Sequence, residues 1–219
     1  MSGDLKKRRV WAGIGDRLTD HIARRPSGWL GRKIYRDAYG HQVGFDLALK
    51  LTPIAAGDHV LDVGCGGGAF LAKVLARGAR AAGVDHSSDM LATTEAQNAE
   101  HVRDERLVVF LADASALPCA SKTFTHVFCL NAFFFFPKPN LAIQEMGRVL
   151  APNGRLSIAT VPPESERRMR WLFGPIAKRM RFDPPEQLTD WARAAGLDVT
   201  AIHATDYGGY IHVSRKMPT

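Results

Sequence analysis

Residues 60–63, Val-Leu-Asp-Val, run without a spacer into Gly64-Cys65-Gly66-Gly67-Gly68, and a helical pattern follows at once over 68–77. Glycines at such a junction let the backbone turn sharply and let a ligand approach the amides at a helix N-terminus. A strand leading into a crossover helix points to a parallel neighbour, because the crossover brings the chain back to the end of the sheet where the first strand began. The sequence supplies that neighbour at 81–85, then a helix at 87–101, strands at 107–111 and 124–130, a helix at 140–150 and a strand at 155–161. This alternation predicts an α/β fold, a mostly parallel sheet with helices on both faces.

The punctuation agrees. Pro152-Asn153-Gly154 reads as a turn ending the helix before Arg155, and Asp183-Pro184-Pro185-Glu186 reads as an N-cap, a proline at N1 and a glutamate at N3. The helix so opened carries Leu188 and Trp191 on one face and stops at Gly196. Beyond it, 197–204 and 209–214 are strand-like and joined only by Thr205-Asp206-Tyr207-Gly208, too short for a crossover, so the seven-stranded sheet should end in an antiparallel hairpin. Over residues 1–50 an apolar stripe of Val10, Trp11, Ile14, Leu18 and Ile22, weakened by Gly13 and Gly15 and broken at Pro26-Ser27-Gly28, predicts a helical cap. The expected division is a cap at 1–50 and a ligand-binding domain at 51–219 with a lid insertion at about 162–182.

Composition narrows the classes. With 46% hydrophobic and 23% charged residues in 219, the chain can bury a core without crosslinks. Cys65, Cys119 and Cys129 form no CxxC pair and no Cys/His cluster has zinc spacing, so neither a metal nor a disulfide framework is expected. No secretory signal is expected from 1–16, and the longest apolar run, 127–136, is far short of the ~18 residues of a spanning helix, which together predict a cytoplasmic protein. The net charge of +7 is uneven: residues 1–36 carry ten Lys/Arg against three Asp, residues 164–181 carry six against two Glu, and the remainder sums to −4. Trp11, Trp29 and Trp171 fall in these two basic segments.

Asp85 lies 21 residues beyond Gly64, about the separation at which an acid reaches a ribose hydroxyl pair, so loop and acid together indicate a nucleoside ligand. The loop alone also fits a dinucleotide fingerprint. Asp62, a carboxylate inside an apolar strand, is hard to justify for a dinucleotide site and suits a ligand with a cationic amino group. Four motifs in order, GDHVLDVGCGGG at 57–68, GVDHSSDML at 83–91, ADASALP at 112–118 and EMGRVLAPNGRL at 145–156, resemble the class I S-adenosylmethionine-dependent methyltransferases of the small-molecule type, over residues 57–161 with a weaker continuation to the end.

The resemblance implies a Rossmann-like sheet and S-adenosylmethionine as methyl donor, with S-adenosylhomocysteine as product. By position, the backbone of Gly64, Cys65 and Gly66 would line the methionine portion, Asp62 would support the loop or face the ammonium, and Asp85 would accept from the ribose hydroxyls. Met90 would pack near the adenine, Asp113 and Ala114 would address its amino edge, and Leu130 or Asn131 would lie near the methionyl end. Two departures stand out: His86 occupies a usually aliphatic position and is expected beside the ribose or adenine, and Ala132-Phe-Phe-Phe-Phe136 replaces a mixed, histidine-containing stretch. With no Asn-Pro-Pro-Tyr type motif, methylation of exocyclic base amines is disfavoured.

Displacement on an activated carbon needs alignment and water exclusion more than acid–base chemistry. Candidate bases are Tyr35, Tyr39, His41, His86, Tyr207 and Tyr210, with no motif to choose among them. Ligands of open α/β sheets bind outside the carboxyl ends of the strands, from which the Phe133–Phe136 loop and the insertion depart. Tyr39, Phe133, Phe134, Arg170 and Trp171 are therefore the acceptor-site candidates, and the acceptor is expected to be a small molecule, anionic or aromatic. The alternatives are an RNA or protein acceptor, suggested by aromatics within basic segments, a nicotinamide-dependent oxidoreductase, and a binding protein without catalysis.

Overall fold

The computed structural model describes residues 39–218. The apolar stripe at 10–22, the Pro26 break and Tyr35 lie outside the described residues, as do the side chains of Tyr39, His41 and Phe173. Helix α1 (Tyr39–Leu51) leads into β1 (His59–Val63), α2 (Ala69–Leu75), β2 (Arg80–Asp85), α3 (Ser88–Gln97), α4 (Ala99–Arg103), β3 (Leu107–Leu111) and β4 (Phe124–Leu130). A 3-10 turn (Phe133–Phe135) precedes α5 (Pro139–Val149) and β5 (Leu150–Thr160). The insertion holds α6 (Glu166–Phe173) between two 3-10 turns, and α7 (Pro185–Ala194), β6 (Leu197–Ala204) and β7 (Tyr210–Lys216) close the chain.

The seven strands lie in the order β3-β2-β1-β4-β5-β7-β6, with β7 antiparallel to both β5 and β6 and the other pairs parallel. The expected Rossmann-like sheet with a terminal antiparallel hairpin is thus the observed one. The chain runs outward from β1 to β3 and then returns to β4, so the carboxyl ends of β1 and β4 flank a topological switch point, the place where such sheets bind ligands. Alternation along the strands divides the core. Leu61, Val63, Val127, Cys129, Leu156 and Ile158 pack under Ile143, Met146 and Leu188 of α5 and α7, while Val60, Phe128, Leu130 and Ala159 meet Phe45, Phe70, Leu71 and Val74 of α1 and α2. Phe70 bridges the second layer, its ring centroid 5.3 Å from Phe45 and 4.8 Å from Phe128.

Three local expectations need correction. The helix expected over 87–101 breaks at Asn98, whose buried side-chain amide donates to the Thr94 carbonyl at 2.9 Å and so competes with helix continuation. Pro152-Asn153-Gly154 does not separate a helix from a strand; β5 already starts at Leu150, paired with Phe124, and the three residues bulge out before Arg155 pairs with His126. Asn153 takes φ 65° there and its side chain accepts from Arg215 at 2.7 Å. The last helix is capped at Pro184, with Pro185 in its first turn, because the Asp183 carboxylate is held by Arg181 at 2.6 Å. Among the described residues no helix is long and apolar enough to cross a membrane.

His212 on β7 is fully buried, its ring nitrogens facing Thr189 at 3.4 Å and Ser214 at 3.2 Å. Burial lowers its pKa from 6.5 to about 4. Because only the unfolded chain takes up this proton between those values, stability should fall as pH drops from about 6.5 to 4, by roughly 3 kcal/mol in total. Urea unfolding of His212→Gln across that window should give a correspondingly flatter profile, and parallel profiles would remove His212 as the cause.

Candidate active site

At the end of β1 the backbone enters the left-handed region at Gly64, Gly66 and Gly68, with φ 81°, 52° and 81°. Amides of Gly64 and Cys65 donate to the Val84 carbonyl at 2.7 and 3.1 Å, which fastens the loop to the end of β2. The glycines serve different ends. A Cβ at Gly64 would overlap the Ala132 methyl, and one at Gly68 would come 2.8 Å from the Thr94 methyl, so both are needed for close packing. A Cβ at Gly66 would meet nothing within 4 Å; there the backbone borders open space.

Asp85 closes one side of that space. Its buried carboxylate accepts from the Gly66 amide at 3.0 Å and the Ser87 amide at 2.9 Å, and His86 Nδ1 lies 3.2 Å away. The two amide donors fix the orientation of this carboxylate beside the open face of Gly66. The His86 ring is 41% exposed and stands at the rim, and Met90 follows half-buried on α3. Thr94, which the sequence did not single out, donates to the Gly66 carbonyl at 2.6 Å and so fixes the loop from below.

Asp62 is 3% exposed, and burial, reinforced by the negative Asp85, raises its carboxyl pKa to about 8. A carboxyl held in this way favours a cation beside it. The Cys65 thiol is buried and pushed far above its usual range, by burial first and then by Asp62 and Asp85, so it is a packing group rather than a nucleophile.

β3 and β4 supply the other walls. The Ala112 amide donates to the Asp85 carbonyl at 3.1 Å, which sets Asp113 and Ala114 beside the acid. Ser115 donates to Asp113 from both its amide and its hydroxyl, at 2.7 Å each, and holds that carboxyl below its ordinary pKa. The loop beyond is clamped by Glu145 and Arg148 of the fourth motif: Arg148 pairs with Glu145 through two nitrogens and donates to the carbonyls of Leu117 and Cys119, and the Leu117 amide donates to Glu145 at 2.8 Å. At the end of β4, Leu130 is buried, and Asn131 takes φ 60° with its amide bonded to the Ala159 carbonyl.

The acceptor candidates scatter. Phe133 is fully enclosed in the core and has no surface to offer an acceptor, because the 3-10 turn directs it inward. Phe134 joins Val161 and Met169 in a separate apolar cluster covered by Met180 and Phe182, and the Arg181 amide donates to the Phe134 carbonyl at 2.7 Å. This wall, missed by the sequence apart from Phe134, lies over the carboxyl ends of β4 and β5. Arg170 pairs with Glu166 at 2.6 Å, and Trp171 is 82% exposed on the outside of α6. Among the described candidate bases, Tyr210 donates to the Asp183 carbonyl at 2.8 Å, His86 faces Asp85, and burial raises the Tyr207 phenol above its usual value. No group of three or more metal-ligating side chains occurs among the described residues.

A family model described as a methyltransferase domain matches residues 61–158. The ubiquinone biosynthesis O-methyltransferase of Methylococcus capsulatus is 29% identical over 175 residues, covering 73% of this chain and 72% of that protein. That of Pseudomonas entomophila is 30% identical over 162 residues and covers 69% of each chain. Among solved structures, a complex between the Haloferax volcanii Trm112 methyltransferase activator and the putative methyltransferase has a similar fold, with a TM-score of 0.74 at 21% identity over 86% of this chain and 94% of that one.

Proposed function

Because the chain belongs to the class I S-adenosylmethionine-dependent methyltransferases, we propose that it transfers a methyl group from S-adenosylmethionine to an oxygen of a small, largely apolar acceptor. The observation that carries this reading is the open face of Gly66 beside the buried carboxylate of Asp85. Such a cradle suits a ribose diol, and Asp62 suits the ammonium of a methionyl group. The choice of oxygen follows the two O-methyltransferase relatives, and the small apolar acceptor the lining of Phe134, Val161 and Met169.

When bound, S-adenosylmethionine supplies a methyl carbon already activated by its sulfonium. The protein's own residues then hold the donor and keep water out. Asp85, held in place by the Gly66 amide, fixes one end of the ligand, Asp62 balances its positive charge, and Leu130 and Asn131 border the methyl-bearing end. The Phe134 cluster presents the acceptor from the β5 side, and holding two reactants in line is worth up to ~7–11 kcal/mol. Arg170, the arginine expected at the acceptor site, meets Glu166, and of the other arginines of the insertion Arg168 donates to the Tyr207 carbonyl and Arg181 meets Asp183. This favours an uncharged acceptor.

Thermal unfolding with S-adenosylmethionine, S-adenosylhomocysteine and NAD tests the donor. At 100 times Kd a ligand adds about 2.7 kcal/mol, equivalent to roughly 5–10 °C for a domain of this size. The two sulfur nucleosides should raise the midpoint by that amount and NAD should not; the reverse pattern would assign the loop to a dinucleotide.

A further inference from the structure

Helix α3 packs along the back of the glycine loop and leaves its front free. A Cβ at Gly67 would come 3.4 Å from the Thr93 methyl, and one at Gly68 would come 2.8 Å from the Thr94 methyl and 2.9 Å from the Asn98 side-chain nitrogen, whereas one at Gly66 would meet nothing within 4 Å. Thr94 is fully buried at the centre of this contact. A threonine inside a helix can return its hydroxyl to a carbonyl one turn back, as Thr93 does to Asp89 at 2.8 Å. Thr94 instead donates to the Gly66 carbonyl at 2.6 Å. Its own carbonyl accepts from the backbone and side-chain amides of Asn98, at 3.1 and 2.9 Å, which fixes the end of the helix beneath the loop.

These bonds close a ring. The Ser87 amide, at the N-cap of α3, donates to one oxygen of Asp85, the Gly66 amide donates to the other, and the Gly66 carbonyl returns to α3 through Thr94. A glycine has wide conformational freedom, so the two peptide groups flanking Gly66 keep one orientation only if each is tied. Asp85 ties the first and Thr94 the second. We propose that Thr94 is a positioning residue for the methyl donor, holding the loop in its binding geometry before the ligand arrives. The inference rests on the donor reading above. Without the hydroxyl the free loop would sample other arrangements, and donor binding would have to restore this one, which lowers affinity with no ligand contact removed.

Calorimetry with S-adenosylhomocysteine and amide exchange of the ligand-free chain test this together. Thr94→Val, which keeps the shape and loses the hydroxyl, is expected to bind about tenfold more weakly. Exchange over 64–68 should quicken in that variant while the amides of β1 and β4 keep their protection. Thr94→Ala removes the same hydroxyl without placing a methyl against the Gly66 carbonyl and should behave alike, so the outcome does not depend on how the valine is accommodated. Thr94→Ser restores the hydroxyl and should bind within about twofold of wild type. Wild-type affinity in both Thr94→Val and Thr94→Ala, or a loss that Thr94→Ser does not restore, would overturn the proposal. Exchange quickened through the whole sheet in both would also overturn it, leaving Thr94 a residue of the core alone. A wild-type chain that binds no S-adenosylhomocysteine would overturn the donor reading and this proposal with it, whereas binding that is indifferent to Thr94 overturns the proposal alone.

Discussion

Asp62→Asn is expected to stabilise the ligand-free protein and, in the same variant, to weaken binding of the methyl donor at least about a hundredfold. The carboxyl ionises near pH 8 in the folded chain against 3.8 ordinarily, because it is buried beside Asp85. A group whose folded pKa is raised supports folding fully only below its unfolded pKa, and that support is lost as pH rises toward the folded value. At pH 7 wild type has thus forfeited up to about 4 kcal/mol, which a neutral isostere does not forfeit. Urea unfolding should show Asp62→Asn more stable at pH 7 than wild type, with the gap shrinking toward pH 4. A variant no more stable than wild type at pH 7 would mean that the buried carboxyl has a compensating partner.

The functional half of that expectation has its own signature. A carboxyl that is mostly protonated at pH 7 must ionise to pair with an ammonium, so donor binding should release up to about one proton. Calorimetry in two buffers of different ionisation enthalpy reads that release directly. Wild type should show it and Asp62→Asn should not, with affinity falling at least about a hundredfold for loss of a buried charge pair. Equal proton release in both would place the titration elsewhere.

What could be read from the sequence was what a contiguous stretch of chain decides. The glycine loop and Asp85 were legible because a sharp turn at a helix start needs glycine and because the spacing between successive parallel strands fixes where the second strand's end must fall. Thr94 was not legible: it reaches the Gly66 carbonyl across 28 positions of sequence, and nothing local distinguishes it from its neighbour Thr93, which bonds within its own helix. Pro152-Asn153-Gly154 misled for a related reason. Its turn propensity is real, as the positive φ of Asn153 attests, but pairing with β4 on both sides of the turn keeps the strand continuous through a bulge. Trp171 and Arg170 were assigned to the acceptor because the insertion departs from the carboxyl ends of the strands, whereas their direction on α6 is decided by which neighbour the core takes, and it takes Met169. The Asp183 cap failed because Arg181, two residues away, claims the same carboxylate.

The Asp85→Ala variant should separate what the carboxylate does for the loop from what it does for the ligand. Within the protein it accepts two backbone donors, from Gly66 and Ser87, both only partly buried, so water can replace it and the loss of stability should stay at about 1–2 kcal/mol. Toward a ribose diol it would accept two further hydrogen bonds, each charge-assisted and worth about 1.5–3 kcal/mol, and nothing else in the described site offers an anion at that position. Donor affinity should therefore fall by roughly two to four orders of magnitude while the unfolding midpoint moves by only a few degrees. Calorimetry and thermal unfolding of the same preparation make the comparison. If affinity fell only in proportion to stability, Asp85 would be a buttress for Gly66, and the nucleoside would have to be held by the loop amides and Asp113; an unchanged affinity would remove the ribose from this side of the sheet altogether.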